Sequence, residues 1–273
     1  MATKWEVRIA GEDPVYAAQA AAAAFQWADR IEALLSRFRE ESELSGVARL
    51  SPGGRMRLSE PTFFCLSLAR EWEVATGSAF SAGATAVRLG LEKPIWRLDT
   101  ASRELIVGNA PCLLDAGAIG KGFALDRIAE ELAEWEVASF LLVSGGSSVL
   151  AGDAPPGEPG WKIGVGEGET GGASFYLVRA GFGASGLSVK GDHITDPRTG
   201  LPANRYARTW ALAPTAAMAD ALSTAWMCMD KKEIENLCAG NPALGAALLD
   251  AGGAITLFGA LSELPVVTAW KRE

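Results

Sequence analysis

Asp115-Ala-Gly-Ala-Ile-Gly-Lys-Gly-Phe-Ala-Leu-Asp126 packs three glycines, a lysine and two carboxylates into one short stretch that runs straight into an amphipathic segment. Glycine lets backbone approach a ligand closely and permits positive φ. The amides of such a turn, with a helix start behind them, make an electropositive pocket suited to phosphate. Lys121 adds a full charge. The stretch is not a P-loop, which needs a glycine five residues before its Gly-Lys pair and Ser or Thr after it; Asp115 and Gly122 hold those positions. No segment carries the dinucleotide fingerprint with its strand, helix and downstream acid. Gly164-Val-Gly166-Glu-Gly168 reads as a turn between two strand-like runs.

Outward from this stretch the patterns alternate between helix and strand. Leu125, Ile128, Ala129, Leu132 and Trp135 give the helix that follows its apolar face. Ser139 to Val143 is a buried-type strand ending at Gly145-Gly146. Upstream, Trp5 to Ala10 alternates like a strand. Asp13-Pro14 reads as an N-cap with proline at the first helical position. Tyr16, Ala20, Ala23, Trp27, Ile31, Leu34, Leu35 and Phe38 form the apolar face of the long helix it starts. Ser59 is placed to cap a second helix, carrying Phe63, Phe64, Leu66 and Trp72 toward a stop at Gly77. A glycine-alanine loop follows over 77–86, then strand and turn from Leu89 to Val107. Downstream, Trp161–Val165 and Ser174–Arg179 form a strand pair, Met218 to Met229 a strongly apolar helix, and Ala246–Leu249 with Ala254–Phe258 a hairpin around Asp250-Ala-Gly-Gly253. Mixed strands and helices predict an α+β chain with long helices covering sheets. No internal repeat interrupts it, and 1–273 reads as a single domain.

The 273 residues are 49% hydrophobic and 21% charged, ample for a large core. A net charge of -8 and pI near 4.9 exclude a general nucleic-acid binder. They are compatible with a small anionic ligand, because a metal and local amides reverse the local field. Cysteines 65, 112, 228 and 238 form no Cys-x-x-Cys pair and read as buried free thiols. A single histidine argues against zinc. The first residues carry no hydrophobic signal region and no run is long enough to span a membrane, so a soluble, cytoplasmic protein is expected.

Two further segments carry candidate chemistry. In Ala219-Asp-Ala-Leu-Ser-Thr-Ala225, Asp220 and Thr224 are four apart and share a helix face. Thr224 can back-bond to a helical carbonyl while Asp220 stabilises the helix start. Alternatively the two oxygens bind a hard cation such as Mg2+, which takes one or two carboxylates and completes its shell with carbonyls, water and phosphate oxygens. In Gly191-Asp-His-Ile-Thr-Asp-Pro-Arg-Thr-Gly200, His193 is the sequence's lone histidine, between Asp192 and Asp196. The loop can bring imidazole, guanidinium and hydroxyl to a polyphosphate, or Asp196–Gly200 can be an ordinary β-turn. The residues alone leave both pairs of readings open.

Taken together, these segments resemble the ApbE-type flavin transferases, FAD:protein FMN transferases. The family's Asp-x-Gly-Gly/Ala-Ile-Ala/Gly-Lys-Gly-aromatic segment is matched by Asp115 to Phe123. Its His-Ile-x-Asp-Pro-x-Thr-Gly signature is matched by His193 to Gly200, and its Ala-Asp-Ala-Leu-Ser-Thr-Ala helix by Ala219 to Ala225. Ser42-Glu43-Leu44, Thr76–Phe80, Gly145-Gly146 and Ser185-Gly186 are weaker echoes in the family order. The resemblance implies an ApbE/T-fold-like chain of antiparallel sheets covered by helices, with an FAD cleft between sub-structures. It implies FAD as ligand and Mg2+ as cofactor, with Asp220, Thr224 and the carbonyl of Ala118 holding the metal. Gly117, Ala118, Lys121, Ser185, Gly186, His193 and Thr199 would contact the flavin nucleotide, with His193 and Asp220 in the catalytic set. The implied reaction passes FMN to a threonine or serine hydroxyl of an acceptor protein and releases AMP. Two alternatives stand beside it: an FAD-binding module without turnover, and a pyrophosphatase giving FMN and AMP. The chain departs from the family at Ser81, Val143 and Ser147, and in the short spacing from Ser185 to His193. Thr85, in an acceptor-like Gly83-Ala84-Thr85, reads as coincidence.

Overall fold

Asp13 accepts the amides of Val15 and Tyr16, and Pro14 opens the first helix, α1 (Pro14–Leu35), where the sequence predicts it. The computed structural model describes residues 3–166, 172–187 and 194–265. The apolar face of α1 is shorter than its periodicity predicts: the helix ends at Leu35, and Phe38 is 80% exposed. The cause is Arg37, which turns inward to an ion pair with Asp115 at 2.8 Å and leaves its neighbour on the surface, with the guanidinium 4.0 Å over the Phe38 ring. Ser59 does not cap the helix that follows it, α3 (Glu60–Ala75); its amide and hydroxyl both donate instead to Glu43, the first residue of the short helix α2 (Glu43–Ala48). Phe64, expected on the buried face of α3, is 49% exposed, while Phe63, Leu66 and Trp72 are buried.

Among the described residues, one seven-stranded sheet runs in the order β1 (Trp5–Ile9), β5 (Phe140–Ser144), β6 (Ser148–Ala151), β9 (Ala180–Gly186), β10 (Arg208–Ala213), β11 (Gly245–Leu249) and β12 (Ile255–Gly259). Every neighbouring pair is antiparallel. The two-residue period of a strand divides its side chains between two cores. Leu142 and Leu150 face Ala20 and Ala24 of α1 and Leu125 and Ile128 of α5 (Gly120–Glu134). Leu141, Val149, Phe182 and Trp210 face the other way, onto Ile163, Val165, Phe175 and Leu177 of a separate hairpin, β7 (Trp161–Gly166) with β8 (Gly172–Leu177). A third cluster joins α3, the helix α6 (Ala216–Cys228) and a small sheet ordered β2 (Arg55–Arg57), β4 (Glu104–Val107), β3 (Trp96–Asp99). The expected strand pairs at 161–177 and 246–258 are present. The loop expected over 77–86 instead contains the start of a short helix, α4 (Ala84–Arg88).

Helix α6 lies at the centre. Ala219, Ala221, Leu222, Ala225 and Trp226 are fully buried, and a buried leucine such as Leu222 contributes about 2 kcal/mol of hydrophobic stabilisation. It starts at Ala216, earlier than the predicted Met218, because Thr215 caps it by accepting the Met218 amide.

Cys65, Cys112, Cys228 and Cys238 are all buried free thiols, as their apolar surroundings predict. Burial pushes Cys65 and Cys228 up to about 12, and Cys112 and Cys238 up to about 11. The thiolate is the reactive form, so the native protein at pH 7.5 should resist Ellman's reagent at all four positions while the urea-unfolded chain reacts at once. Rapid labelling of any of the four in the folded protein would contradict this packing.

Candidate functional site

The quoted stretch turns on Asp115. Its Oδ1 accepts the Gly117 amide at 2.8 Å, its Oδ2 accepts the Thr85 hydroxyl at 2.7 Å, and Arg37 pairs with it. Ile119 and Gly120 then donate back to the Ala116 carbonyl, which brings the chain into α5. The amides of Gly117, Ile119, Gly120 and Gly122 therefore all find acceptors within the protein. The turn is built on internal carboxylates and carbonyls, and Lys121 remains its charge toward solvent, with its side chain 22% exposed.

The Gly122 amide points at α6. It donates to Asp220 Oδ2 at 2.7 Å, and Lys121 Nζ approaches the same oxygen at 3.3 Å. Gly122 is required here for close approach: a Cβ would lie 2.0 Å from the Ala216 carbonyl oxygen. The other oxygen of Asp220, Oδ1, accepts the Ser148 hydroxyl at 2.5 Å. Ser148 is brought under α6 by the turn joining β5 to β6, where Gly145 and Gly146 take φ of 61° and 65°. Asp220 is 3% exposed. A buried ion pair adds little net stability after desolvation; these contacts instead hold both carboxylate oxygens in set directions. A carboxylate has about four lone-pair sites, so three donors leave one direction free on Oδ1.

One turn further along α6, Thr224 meets Ser185 of β9, with the two hydroxyl oxygens 3.1 Å apart, and Ser185 also meets Ser223 at 3.0 Å. Lys121, Thr224 and Ser185 are half-buried and tied to α6 by these contacts; Ala118 and Gly186 are half-buried as well, and Asp220 is buried. Asp220, Thr224 and the Ala118 carbonyl offer oxygen donors only, the chemistry Mg2+ prefers. Among the described residues no cluster of three or more His, Cys, Asp or Glu side chains is placed to hold a metal; any ion at this site would rely on hydroxyl, carbonyl and ligand oxygens.

The third segment stands apart in its contacts. Asp196–Gly200 is a turn: Thr199 and Gly200 donate their amides to the Asp196 carbonyl, and Thr199 Oγ1 accepts the Leu201 amide. Arg198 is engaged by Asp196, by Glu233 at 2.8 Å and by the Cys228 carbonyl at 2.6 Å, which ties the turn to the C-terminal end of α6. Its guanidinium therefore serves the fold. His193 lies outside the described residues.

Two contributors were not assigned by sequence reasoning. Ser148 gave no signal beyond following the Gly145-Gly146 turn. Asp126 closes the quoted stretch, and its position four residues after Gly122 places both on one face of α5. Its oxygens accept the Ala216 and Ala217 amides at 2.8 and 2.9 Å. Desolvation pushes its carboxyl up to about 7, helped by Asp220 and Glu130 and opposed by the two amide bonds.

The ApbE family model matches residues 1–249. The FAD:protein FMN transferase of Haemophilus influenzae is 29% identical over 143 residues, 46% of this chain and 41% of that protein. The FAD:protein FMN transferase of Klebsiella pneumoniae is 24% identical over 179 residues, 60% of this chain and 50% of that protein. The matches thus span half or less of the length of these curated relatives. The ApbE protein of Thermotoga maritima superposes with a TM-score of 0.81 at 22% identity, over 96% of this chain and 97% of that one. The flavin transferase ApbE of Vibrio cholerae superposes with a TM-score of 0.80 at 16% identity, over 97% of this chain and 96% of that one. At these identities the superpositions establish a shared fold.

The Gly122 contact predicts a specific sensitivity. Gly122→Ala would drive its methyl into the Ala216 carbonyl, and neither helix backbone can yield cheaply. We expect a loss of about 3 kcal/mol in urea unfolding. Unchanged stability would contradict the close approach of the two helices.

Proposed function

The chain belongs to the ApbE family, and from that membership we propose that it is an Mg2+-dependent FAD:protein FMN transferase, passing FMN to a threonine or serine hydroxyl of an acceptor protein. The observation that carries this reading is Asp220: a carboxylate 3% exposed, held by Ser148, Gly122 and Lys121, with Thr224 one turn away on the same helix. Asp220, Thr224 and the Ala118 carbonyl would hold the ion. When bound, Mg2+ supplies charge neutralisation and polarises phosphoryl oxygens.

The remaining work falls to this chain's own groups. Lys121 offers its ammonium to the diphosphate from the rim. Gly117, Ser185 and Gly186 border the space the nucleotide would occupy, and Ser185 fixes the Thr224 hydroxyl through its 3.1 Å contact. In the transfer, the acceptor oxygen bonds to the FMN phosphorus. The bond from that phosphorus to the bridging oxygen breaks, and its electron pair leaves with AMP. The hydroxyl proton passes to a base, for which His193 is the candidate. Thr199 is assigned to the nucleotide through the same signature. We treat 1–273 as one functional unit. Among the described residues no helix is long and apolar enough to cross a membrane, and the buried free thiols fit a cytoplasmic setting.

Incubation of the purified protein with FAD and Mg2+, with and without a Thr- or Ser-bearing acceptor, tests the reading by following AMP, free FMN and protein-bound flavin. AMP released in step with labelled acceptor is expected. AMP with free FMN and no acceptor requirement would make the protein a pyrophosphatase, and bound FAD without AMP a binding module. Asp220→Asn should lower turnover about 1,000-fold, equivalent to about 4 kcal/mol, with its circular dichroism unchanged. Full turnover by that folded variant would refute the metal assignment.

A further inference from the structure

Helices α5 and α6 exchange hydrogen bonds in both directions. The α5 amide of Gly122 donates to the α6 carboxylate of Asp220 at 2.7 Å, and the α6 amides of Ala216 and Ala217 donate to the α5 carboxylate of Asp126 at 2.8 and 2.9 Å. Gly122 and Asp126 are one turn apart on α5, Ala216 and Asp220 one turn apart on α6, and the pairing runs antiparallel. Between the two bonds the backbones touch, since a Cβ on Gly122 would lie 2.0 Å from the Ala216 carbonyl.

We propose that Asp126 is a positioning residue for the site: by gripping the first turn of α6 from α5, it sets the rotation at which α6 presents Asp220 and Thr224. The surfaces of α6 explain why such a grip is needed. Its contact with α5 is backbone against Gly122, and its contact with the sheet is backbone against Gly183, where a Cβ would lie 2.4 Å from the Ala219 carbonyl. Ala216, Ala217, Ala219 and Ala221 supply no large knob on these contacts. On these two faces, at the start of the helix, packing supplies little orientation, because the large buried side chains Leu222, Trp226 and Met227 lie further along it; hydrogen bonds are directional. Nor is Asp126 needed to start the helix, because Thr215 already caps it through the Met218 amide and its carbonyl accepts the Ala219 amide. The carboxylate adds a bond across helices, two charge-assisted contacts to the turn immediately before Asp220.

This inference rests on the metal reading of Asp220, and the test separates the two. Mn2+ binding to the FAD-saturated full chain is measured at pH 8 from the electron paramagnetic resonance signal of free Mn2+, alongside thermal unfolding and the kcat and KM for FAD. Asp126→Asn keeps the shape but sets an amide group against one α6 amide. It is expected to fold, to weaken Mn2+ binding at least tenfold, roughly the effect of losing an outer-shell partner, and to lower kcat with KM for FAD changed less than about twofold. Thr215→Ala, which removes the helix's own cap, should lower the Tm while leaving Mn2+ affinity within about twofold, the mark of a helix weakened but not turned. Wild-type Mn2+ affinity in folded Asp126→Asn would overturn the positioning role. Should that variant fail to fold, Asp126→Glu, which moves the charge outward by one methylene, is expected to show the same tenfold loss; failure of both to fold would make Asp126 a fold determinant and overturn the role as well. Asp220→Asn is the control: if it binds Mn2+ like wild type, the metal reading itself fails, whereas loss there with full binding in Asp126→Asn removes only the inference.

Discussion

The structure depends on one close contact, the crossing of α5 and α6 at Gly122. Because residue 122 has no side chain, its amide reaches Asp220 at 2.7 Å. That amide, the Ser148 hydroxyl and the Lys121 ammonium let a carboxylate stand on the buried floor of the site with its donors in place. An unpartnered buried charge would shift toward its neutral form; a partnered one keeps a fixed orientation. The direction of the Asp220 carboxylate and the packing of α5 on α6 therefore come from the same few atoms.

Several layers converge on that contact. The Asp115 network of Arg37, Thr85 and Gly117 aims the chain into α5. The glycine turn between β5 and β6 delivers Ser148 from below. Ser185 of β9 reaches Thr224 from the sheet. The turn at Asp196–Gly200 fastens the far end of α6 through Arg198 and the Cys228 carbonyl. Helix α6 is thus held at both ends and along one side, with Thr224 left half-buried.

Much of this was legible in the sequence. The stretch at 115–126, the helix at 219–225 and the signature at 193–200 identified the family and the fold, because each has its own residue pattern and all stand in order. The long helix after Asp13-Pro14 and the hairpin at 246–258 followed from caps, periodicity and turn residues. What stayed hidden was the direction of each group. Gly122 signals close approach, but a sequence does not say whether a ligand or another helix approaches; here it is α6. Asp115 opens the motif and is a turn anchor. Arg198 looks like a phosphate contact and is an ion-pair partner of Asp196 and Glu233. Phe38 fits the period of α1, yet the pull of Arg37 toward Asp115 ends the helix first. Ser148 and Asp126 depend on tertiary pairing between segments roughly 70 and 90 residues apart, which no local pattern encodes.

We propose that Asp220, Thr224 and the Ala118 carbonyl share one divalent ion with the diphosphate of FAD. Crystals grown with FAD and Mn2+ test it most directly through the anomalous signal of the metal. A peak is expected within bonding distance, about 2 Å, of the Asp220 carboxylate and the Thr224 hydroxyl, with flavin diphosphate oxygens completing the shell. A peak elsewhere, or bound FAD with Asp220 engaged only by Ser148, Gly122 and Lys121, would contradict it.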